Sequence, residues 1–252
     1  PLQMYRDFVD LPANAGLHAL IDDLVSAEQA GQLSPRQRRE RAEAVGAAFM
    51  TATFPDGMLD AIRHALHDAL PGIVKVKVRS SANAEDIPKF DGAGLHDSYS
   101  ANLDKEDDPK GGCSIRTADD EGEVKRKVHP KSLGCAIRGV YASLWNKRAI
   151  EERSFARIDQ TNVAMGLAIV PVYDGDSAID ANAVVVTRVL NSEDLYGYSL
   201  SVQQGNNLVT NPDPGTYSEV TIANFYGSQT IRLLATRYAK PDKGAPQLTT
   251  PG

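Results

Sequence analysis

The hydrophobic pattern of the chain changes its period near residue 73, and this change constrains the fold more than any other feature. Before it, apolar residues recur at helical spacing. That spacing predicts three helices, at residues 14–31, 34–50 and 56–70. From Ile73, valines alternate with basic residues as far as Arg79, which is the pattern of a half-buried strand with its basic residues on one face.

The remainder of the chain is predicted to be rich in strands. A helix follows Ser132, and then come strand patterns separated by turn sequences, at residues 163–172, 183–190, 196–202 and near 208, 220 and 231. Residues 100–131 are dense in charge and glycine and are expected to form an exposed, mobile insertion. The fold class is therefore predicted to be α+β, with a helical N-terminal part followed by a mixed or antiparallel sheet-rich part.

Three parts are expected along the chain. Residues 1–72 form the helical part, residues 73–160 hold the strand, a loop, the insertion and a helix, and residues 161–252 form a sheet-rich lobe. The chain begins at Pro1 and ends at Gly252, neither of which is typical of a domain edge, so a fragment is expected.

Composition excludes several classes of protein. The net charge of −6 argues against a nucleic-acid binder, which needs clustered lysine and arginine. The sequence has no apolar run long enough to cross a membrane and no signal-peptide pattern, which indicates a cytoplasmic protein. Cys113 and Cys135 show no spacing typical of a zinc site or a disulfide framework, so both are interpreted as free thiols in a reducing compartment.

The segment from Arg79 to Ser98 has the parts of a phosphate site. A guanidinium can donate two parallel hydrogen bonds to phosphate oxygens, and glycines such as Gly92 and Gly94 let backbone N–H groups approach a ligand closely. The residues alone favour a plainer account, an exposed arginine followed by turns. Glu85 and Asp86 are likewise interpreted as turn residues or ion-pair partners rather than metal ligands.

A family resemblance favours the phosphate site. Residues 78–88 resemble the VRSSA-x-AEDLP signature of the phosphoenolpyruvate synthase and pyruvate phosphate dikinase family, and residues 93–99 resemble its AG-x-x-[DE]-T-[YF] loop. Residues 140–149 are similar to the family's WASL-x-x-x-RA helix, and residues 163–171 to its strand VA-x-x-V-x-VQ-x-M. The resemblance covers roughly residues 73–215.

The resemblance implies an ATP-grasp-like nucleotide-binding domain, and hence a fold that binds ATP with Mg²⁺. Such a domain passes a phosphoryl group to a histidine on a separate domain, and phosphohistidine and PEP/pyruvate domains of the same or another chain are the implied partners. Val170 and Val172 would contact adenine through their backbone. The implied cofactor-binding residues are Arg79, Gly92, Gly94, His96, Asp97, Ser98, Val170 and Val172.

No catalytic residue is assigned to this chain. His96 is interpreted as a loop contact rather than a phosphoryl acceptor, because the family places its acceptor on another domain. The acidic metal-binding strand is expected beyond Gly252, so the metal ligands stay unassigned and the isolated chain is expected to be inactive.

Three functions remain open. The chain could be the nucleotide lobe of a phosphotransferase, a non-catalytic nucleotide-binding or interaction module, or part of a relative that phosphorylates a glucan or another acceptor. Leu95-His96, where the synthases usually carry two glutamines, and residues 170–172, where glutamine and methionine are typical, keep the second function open.

Overall fold

We describe the fold from a computed structural model of the 252-residue chain. The structure describes residues 1–87, 90–92, 94–107, 112–120, 123–172, 181–187, 197–204, 209, 218–224 and 231–233. The chain divides into two compact units, Pro1–Val172 and Tyr173–Gly252, which are described separately. No helix among the described residues has both the length and the apolarity needed to cross a membrane.

Six α-helices lie in the first unit. They are α1 (Leu2–Val9), α2 (Ala15–Gln29), α3 (Pro35–Thr51), α4 (Met58–Ala69), α5 (Leu133–Ser143) and α6 (Lys147–Phe155). Serine side chains cap two of these helices: Ser34 forms a capping box with Gln37 at the start of α3, and the Ser132 hydroxyl accepts from the Cys135 N–H at the start of α5. Short 3₁₀ helices cover Pro12–Asn14 and Gln160–Asn162.

The central sheet of the first unit has three antiparallel strands. They are β1 (Lys75–Ala82), β4 (Tyr99–Asn102) and β7 (Met165–Pro171), in the order β4-β1-β7. Helix α5 packs against one face of this sheet. The valines of β1, Val76 and Val78, are fully buried on that face, as their alternation with basic residues predicted.

Aromatic side chains fill the core between the sheet and the helices. Phe8 of α1 stacks on Phe49 of α3 and contacts Tyr141 of α5 edge-on. The indole N–H of Trp145 donates to the Tyr5 hydroxyl over 2.7 Å, so both polar groups are satisfied in the interior. Tyr141 and Trp145 are both buried in this core.

Short strands extend the first unit beyond the sheet. β2 (Asp86–Ile87) pairs with β3 (Phe90–Asp91), and β5 (Ser114–Asp120) pairs with β6 (Glu123–His129). Part of residues 100–131, which the sequence predicted to be an exposed, mobile insertion, forms a β-hairpin. The charged composition hid this hairpin, because cross-strand pairing satisfies its backbone without a continuous apolar face.

The two cysteines are also not free thiols, contrary to the sequence-based interpretation. Cys113 and Cys135 form a disulfide with a Cα–Cα distance of 5.4 Å. Their separation of 22 positions carries no recognisable spacing, because the pair is brought together by the fold.

The second unit contains one antiparallel sheet among its described residues. Its strands are β8 (Ala181–Val186), β9 (Gly197–Gln204), β10 (Glu219–Asn224) and β11 (Ile231–Leu233), in the order β11-β10-β9-β8. These strands agree with the predicted segments, except that the pattern near residue 208 lies outside the described residues. Helices followed by antiparallel sheets confirm the predicted α+β class.

Candidate functional site

Strand β1 turns a column of basic side chains to solvent. Lys75, Lys77 and Arg79 alternate with the buried valines and therefore lie on the face opposite α5. Lys75 and Arg79 are exposed and Lys77 is half-buried. Among the described residues, no salt bridge reaches Lys77 or Arg79. Lys77 and Arg79 therefore give this face of the sheet a local positive charge.

The two cations nearest the end of β1 repel each other. Residues two apart on a strand lie about 7 Å apart along one face. Burial lowers the pKa of Lys77, and the charge of Arg79 lowers it further. An anion bound between the two side chains would remove this repulsion.

Antiparallel pairing places other predicted site residues on the same face. Across β1–β7, Lys77 pairs with Val170 and Arg79 with Ala168, and paired residues point to the same side of a sheet. Val170 is 38% exposed, and Ala168 is exposed as well. The face therefore combines cations on β1 with an apolar strip on β7.

The register of β1 with β4 relates Ser98 to Arg79. The β1–β4 ladder ends at the pair of Val78 with Tyr99, and in an antiparallel pair each step forward along one strand is a step back along the other. Ser98 directly precedes β4, so extending this register by one residue would bring its backbone beside that of Arg79. The Ser98 side chain itself borders the cleft that Lys147 and Arg148 also line.

The backbone of β7 is already paired toward β1 at the positions predicted to contact adenine. The N–H of Val172 donates to the carbonyl of Lys75 over 2.9 Å. Alternation along the ladder turns the N–H and C=O of Val170 toward β1 too. The outer edge of β7 instead presents backbone groups of Leu167, Ile169 and Pro171.

Glycines shape the start of the loop between β3 and β4. The N–H of Gly92 donates to the Glu85 carbonyl over 2.6 Å, and a Cβ at this position would lie 2.6 Å from the same oxygen. Gly94 is exposed and has φ +77°, a conformation that glycine adopts without strain. Side-chain size at one position and backbone conformation at the other therefore both require glycine. Ala93, between them, lies outside the described residues.

The corner between α5 and α6 holds the rest of the loop. The Leu95 carbonyl accepts two hydrogen bonds, from Asn146 Nδ2 over 2.8 Å and from Arg148 Nη2 over 3.1 Å. His96 Nδ1 lies 3.2 Å from the Ser143 carbonyl. Three contacts from one corner thus fix two consecutive loop residues.

His96 lies with its ring turned into the protein. Its Nδ1 donates to the Ser143 carbonyl, and its Nε2 is buried with no hydrogen-bond partner among the described residues. Burial lowers the pKa of His96, and the nearby Arg153 charge lowers it further, partly offset by the Ser143 hydrogen bond. A neutral, inward-facing imidazole suits a loop contact rather than a phosphoryl acceptor.

Asp97 joins the loop to the β5–β6 hairpin. Its Oδ2 accepts from the Tyr99 hydroxyl over 3.2 Å and from Arg126 Nη1 over 3.3 Å. Next to it, Ser98 lines a polar cleft of about 570 Å³ together with Lys147 and Arg148. The carboxylate of Asp97 is therefore occupied by protein groups, whereas the hydroxyl of Ser98 borders open space.

Glu85 behaves as the turn residue that the sequence indicated. Its Oε2 accepts from the Ala82 N–H over 3.1 Å, which closes the turn after β1. The side chain of Asp86 lies outside the described residues. Within the described part of the chain, no group of three or more histidine, cysteine, aspartate or glutamate residues could hold a metal ion.

The structure thus places Arg79 and Val170 on one open face of the sheet. Ser98 lies apart from them, in the cleft with Lys147 and Arg148. Sequence reasoning assigned no role to Asn146 or Arg148, although both stand within the segment similar to the family's WASL-x-x-x-RA helix. The resemblance to that motif was the sequence signal that could have identified these two residues.

The chain matches one protein family over most of its length. A family model described as "Pyruvate phosphate dikinase, AMP/ATP-binding domain" matches residues 3–230. No curated protein sequence matches the chain. The match includes all of the described residues discussed above except Leu2 and Ile231–Leu233.

Proposed function

The chain belongs to the pyruvate phosphate dikinase family as an AMP/ATP-binding domain, and we propose that it binds ATP on the open face of the β4-β1-β7 sheet. One observation carries the placement: Arg79 lies exposed within β1, and no salt bridge among the described residues engages it. Ser98 directly precedes β4, the strand that pairs with β1 on one side. The family identifies the ligand as an adenine nucleotide. The residues on this face suggest how that nucleotide is oriented.

The phosphates lie at the end of β1 in this proposal. Arg79 donates in bidentate fashion to phosphate oxygens, Lys77 adds a point charge, and the Ser98 hydroxyl donates a further hydrogen bond. A phosphate between Lys77 and Arg79 relieves their repulsion, so binding raises the pKa of Lys77 toward its ordinary value. Each charge-assisted hydrogen bond is worth about 1.5–3 kcal/mol.

The base lies along β7. Val170 and Ala168 offer an exposed apolar strip next to the cations, which matches the division of ATP into a flat base and a charged tail. Hydrogen bonds to the base come from the outer edge of β7, where Ile169 and Pro171 present backbone groups, rather than from the engaged N–H of Val172.

The glycine loop covers the phosphates. Gly94 leaves its backbone open to a ligand, and the Asn146 and Arg148 contacts to Leu95 hold the loop before the nucleotide arrives. Phosphoryl transfer depends mainly on positioning and charge neutralisation, so a pre-held loop contributes directly to the reaction.

We propose that the phosphoryl group leaves for a histidine on a separate domain, of the same or another chain, which then serves a PEP/pyruvate domain. The inward-facing His96 does not compete for this role. The described residues do not form a complete metal site, so Mg²⁺ is proposed to arrive on the ATP phosphates, and no step assigned to this chain depends on it. The cytoplasm, where ATP is consumed, is the proposed compartment.

An ATP titration of the chain, followed by the shifts of assigned backbone amides, tests the placement. The largest shifts are expected at Lys77, Arg79, Gly94 and Ser98, with smaller ones along β7. AMP, which lacks two phosphates, should shift β7 and leave the loop nearly unchanged. Shifts confined to the surface of α2 and α3 would refute the proposed face.

Phosphoryl transfer has its own test. The chain is incubated with labelled ATP, Mg²⁺ and a separately produced phosphohistidine domain from a pyruvate phosphate dikinase. Acid-labile label is expected on that domain and not on this chain. Label on His96 of this chain would contradict the proposal.

A further inference from the structure

We propose that the Cys113–Cys135 disulfide is a thiol–disulfide exchange site, and that its reduction by a dithiol releases the β5–β6 hairpin from α5. The disulfide joins the residue directly before β5 to the first turn of α5. Its surroundings favour exchange in three respects, which concern access, the leaving sulfur and the attacked sulfur.

Access to the disulfide runs through a cavity. Cys113 lines a cleft of about 860 Å³ between α3, α5 and the hairpin, together with Met50 and Ile115. Cys135, by contrast, is fully buried. An incoming thiolate therefore reaches Sγ of Cys113 and not Sγ of Cys135.

The sulfur that leaves lies at the N-terminus of a helix. Cys135 is the third residue of α5, whose Ser132 cap accepts from the Cys135 N–H. The helix dipole favours an anion in this first turn, and a leaving group that is better stabilised as an anion departs faster in exchange.

The attacked sulfur is also next to a cation. Nη1 of Arg138 lies 3.3 Å from Sγ of Cys113, and its Nε donates to the Ala52 carbonyl over 2.8 Å. The guanidinium also lies over the Phe54 ring, 4.5 Å from its centroid. Arg138 is thus held in place to stabilise the thiolate of Cys113 once it is released.

The reaction balances with a dithiol as the reductant. One thiolate of the dithiol attacks Cys113, forming a mixed disulfide and expelling the Cys135 thiolate, which takes up a proton. The second thiol of the reductant then attacks the mixed disulfide and releases Cys113. Two protein thiols and one oxidised dithiol result, with two electrons transferred. Disulfides of cytosolic proteins, where they occur, are mostly of this exchanging kind.

Release of Cys113 loosens the hairpin near the candidate site. After reduction, Cys113 is no longer joined covalently to α5, and it keeps its N–H bond of 3.1 Å to the Met50 carbonyl and its contact with Arg138. The far strand stays anchored by buried Val128. Arg126 of the same strand donates to Asp97, so a looser hairpin weakens that contact to the loop. Reduction should therefore also change the affinity for ATP, and this part of the inference rests on the proposed function.

Hydrogen exchange of the oxidised and the dithiothreitol-reduced chain tests the inference without nucleotide. Alkylation followed by mass measurement should find no thiols in the oxidised chain and two in the reduced one. Amides of β5 should exchange at least ten-fold faster after reduction, with those of β1 unchanged. Thiols in the oxidised chain, or equal exchange of β5 in both states, would overturn the proposal.

Variants at Arg138 test the role of the cation. Arg138→Gln should require several-fold more dithiothreitol for half-reduction, and Arg138→Lys should stay near the wild-type value. If Arg138→Gln and wild type were half-reduced at the same dithiothreitol concentration, Arg138 would have no role in the exchange. ATP titrations of both redox states separate the two proposals. If reduction speeds hydrogen exchange in the hairpin but neither redox state binds ATP, the proposed function is wrong and the exchange site stands.

Discussion

Arg148 donates a hydrogen bond of 3.1 Å from Nη2 to the carbonyl of Leu95, a residue 53 positions earlier in the chain. With the 2.8 Å bond from Asn146 to the same oxygen, it ties the glycine loop to the corner between α5 and α6. This corner gives a structural reason for the arginine in the segment that resembles the family's helix. The first prediction follows from it.

Arg148→Ala should loosen the loop and weaken ATP binding. A lost hydrogen bond from a charged donor costs about 1.5–3 kcal/mol, and partial exposure of the site places the effect near the lower value, roughly ten-fold in affinity. Hydrogen exchange at residues 94–98 should rise in parallel. Arg36→Ala is the matched control, because Arg36 is exposed on α3 and pairs only with Glu40. Unchanged loop exchange in Arg148→Ala would contradict the assignment.

Gly92→Ala should destabilise the chain, whereas Gly46→Ala should stabilise it. A Cβ at Gly92 meets the Glu85 carbonyl oxygen at 2.6 Å, and such overpacking costs about 1–3 kcal/mol. At Gly46, within α3, a Cβ meets nothing within 4 Å, and replacing a helical glycine gains about 0.5–1 kcal/mol. Urea unfolding measures the change in unfolding free energy of each variant. If Gly92→Ala were as stable as wild type, the loop would not pass this close to Glu85.

Acid should destabilise the chain through His96. Its folded pKa lies below the ordinary value of 6.5, because burial disfavours the charged ring. Below pH 6.5 the unfolded chain binds the proton first, so the unfolding free energy falls as the pH drops from 6.5 through the folded pKa. Urea unfolding at several pH values should show a smaller loss in His96→Gln than in wild type. Parallel pH curves would contradict this.

Replacing both cysteines by serine should lower the unfolding free energy by about 3 kcal/mol, since the disulfide closes a loop spanning 22 positions. Dithiothreitol should lower the stability of the wild-type chain by a similar amount and leave the double variant unaffected. If dithiothreitol lowered the unfolding free energy of both chains equally, the effect would not come from the disulfide, and the prediction would be wrong.

The sequence predicted those parts of the fold that depend on local patterns. Ser34 and Ser132 were recognised as helix starts, and the alternation of Lys77 and Arg79 with valines placed the cations on the exposed face. Capping and alternation involve residues a few positions apart, so they are visible in a sequence.

Contacts between distant residues could not be predicted in this way. The disulfide joins residues 22 positions apart, and the Asn146 bond to Leu95 spans 51. Nothing local marks the Cys113 segment as part of a hairpin that folds back on α5. The position of Ser98 relative to Arg79 likewise required the register of β1 with β4.

The affinity of the chain for ATP, measured by calorimetry with and without the Arg79→Ala change, tests the central claim most directly. Loss of the bidentate guanidinium should weaken binding roughly 10- to 100-fold, while Arg36→Ala should bind within two-fold of wild type. Equal affinity of Arg79→Ala and wild type would contradict the account, because the phosphates would then lie away from the open face of the sheet.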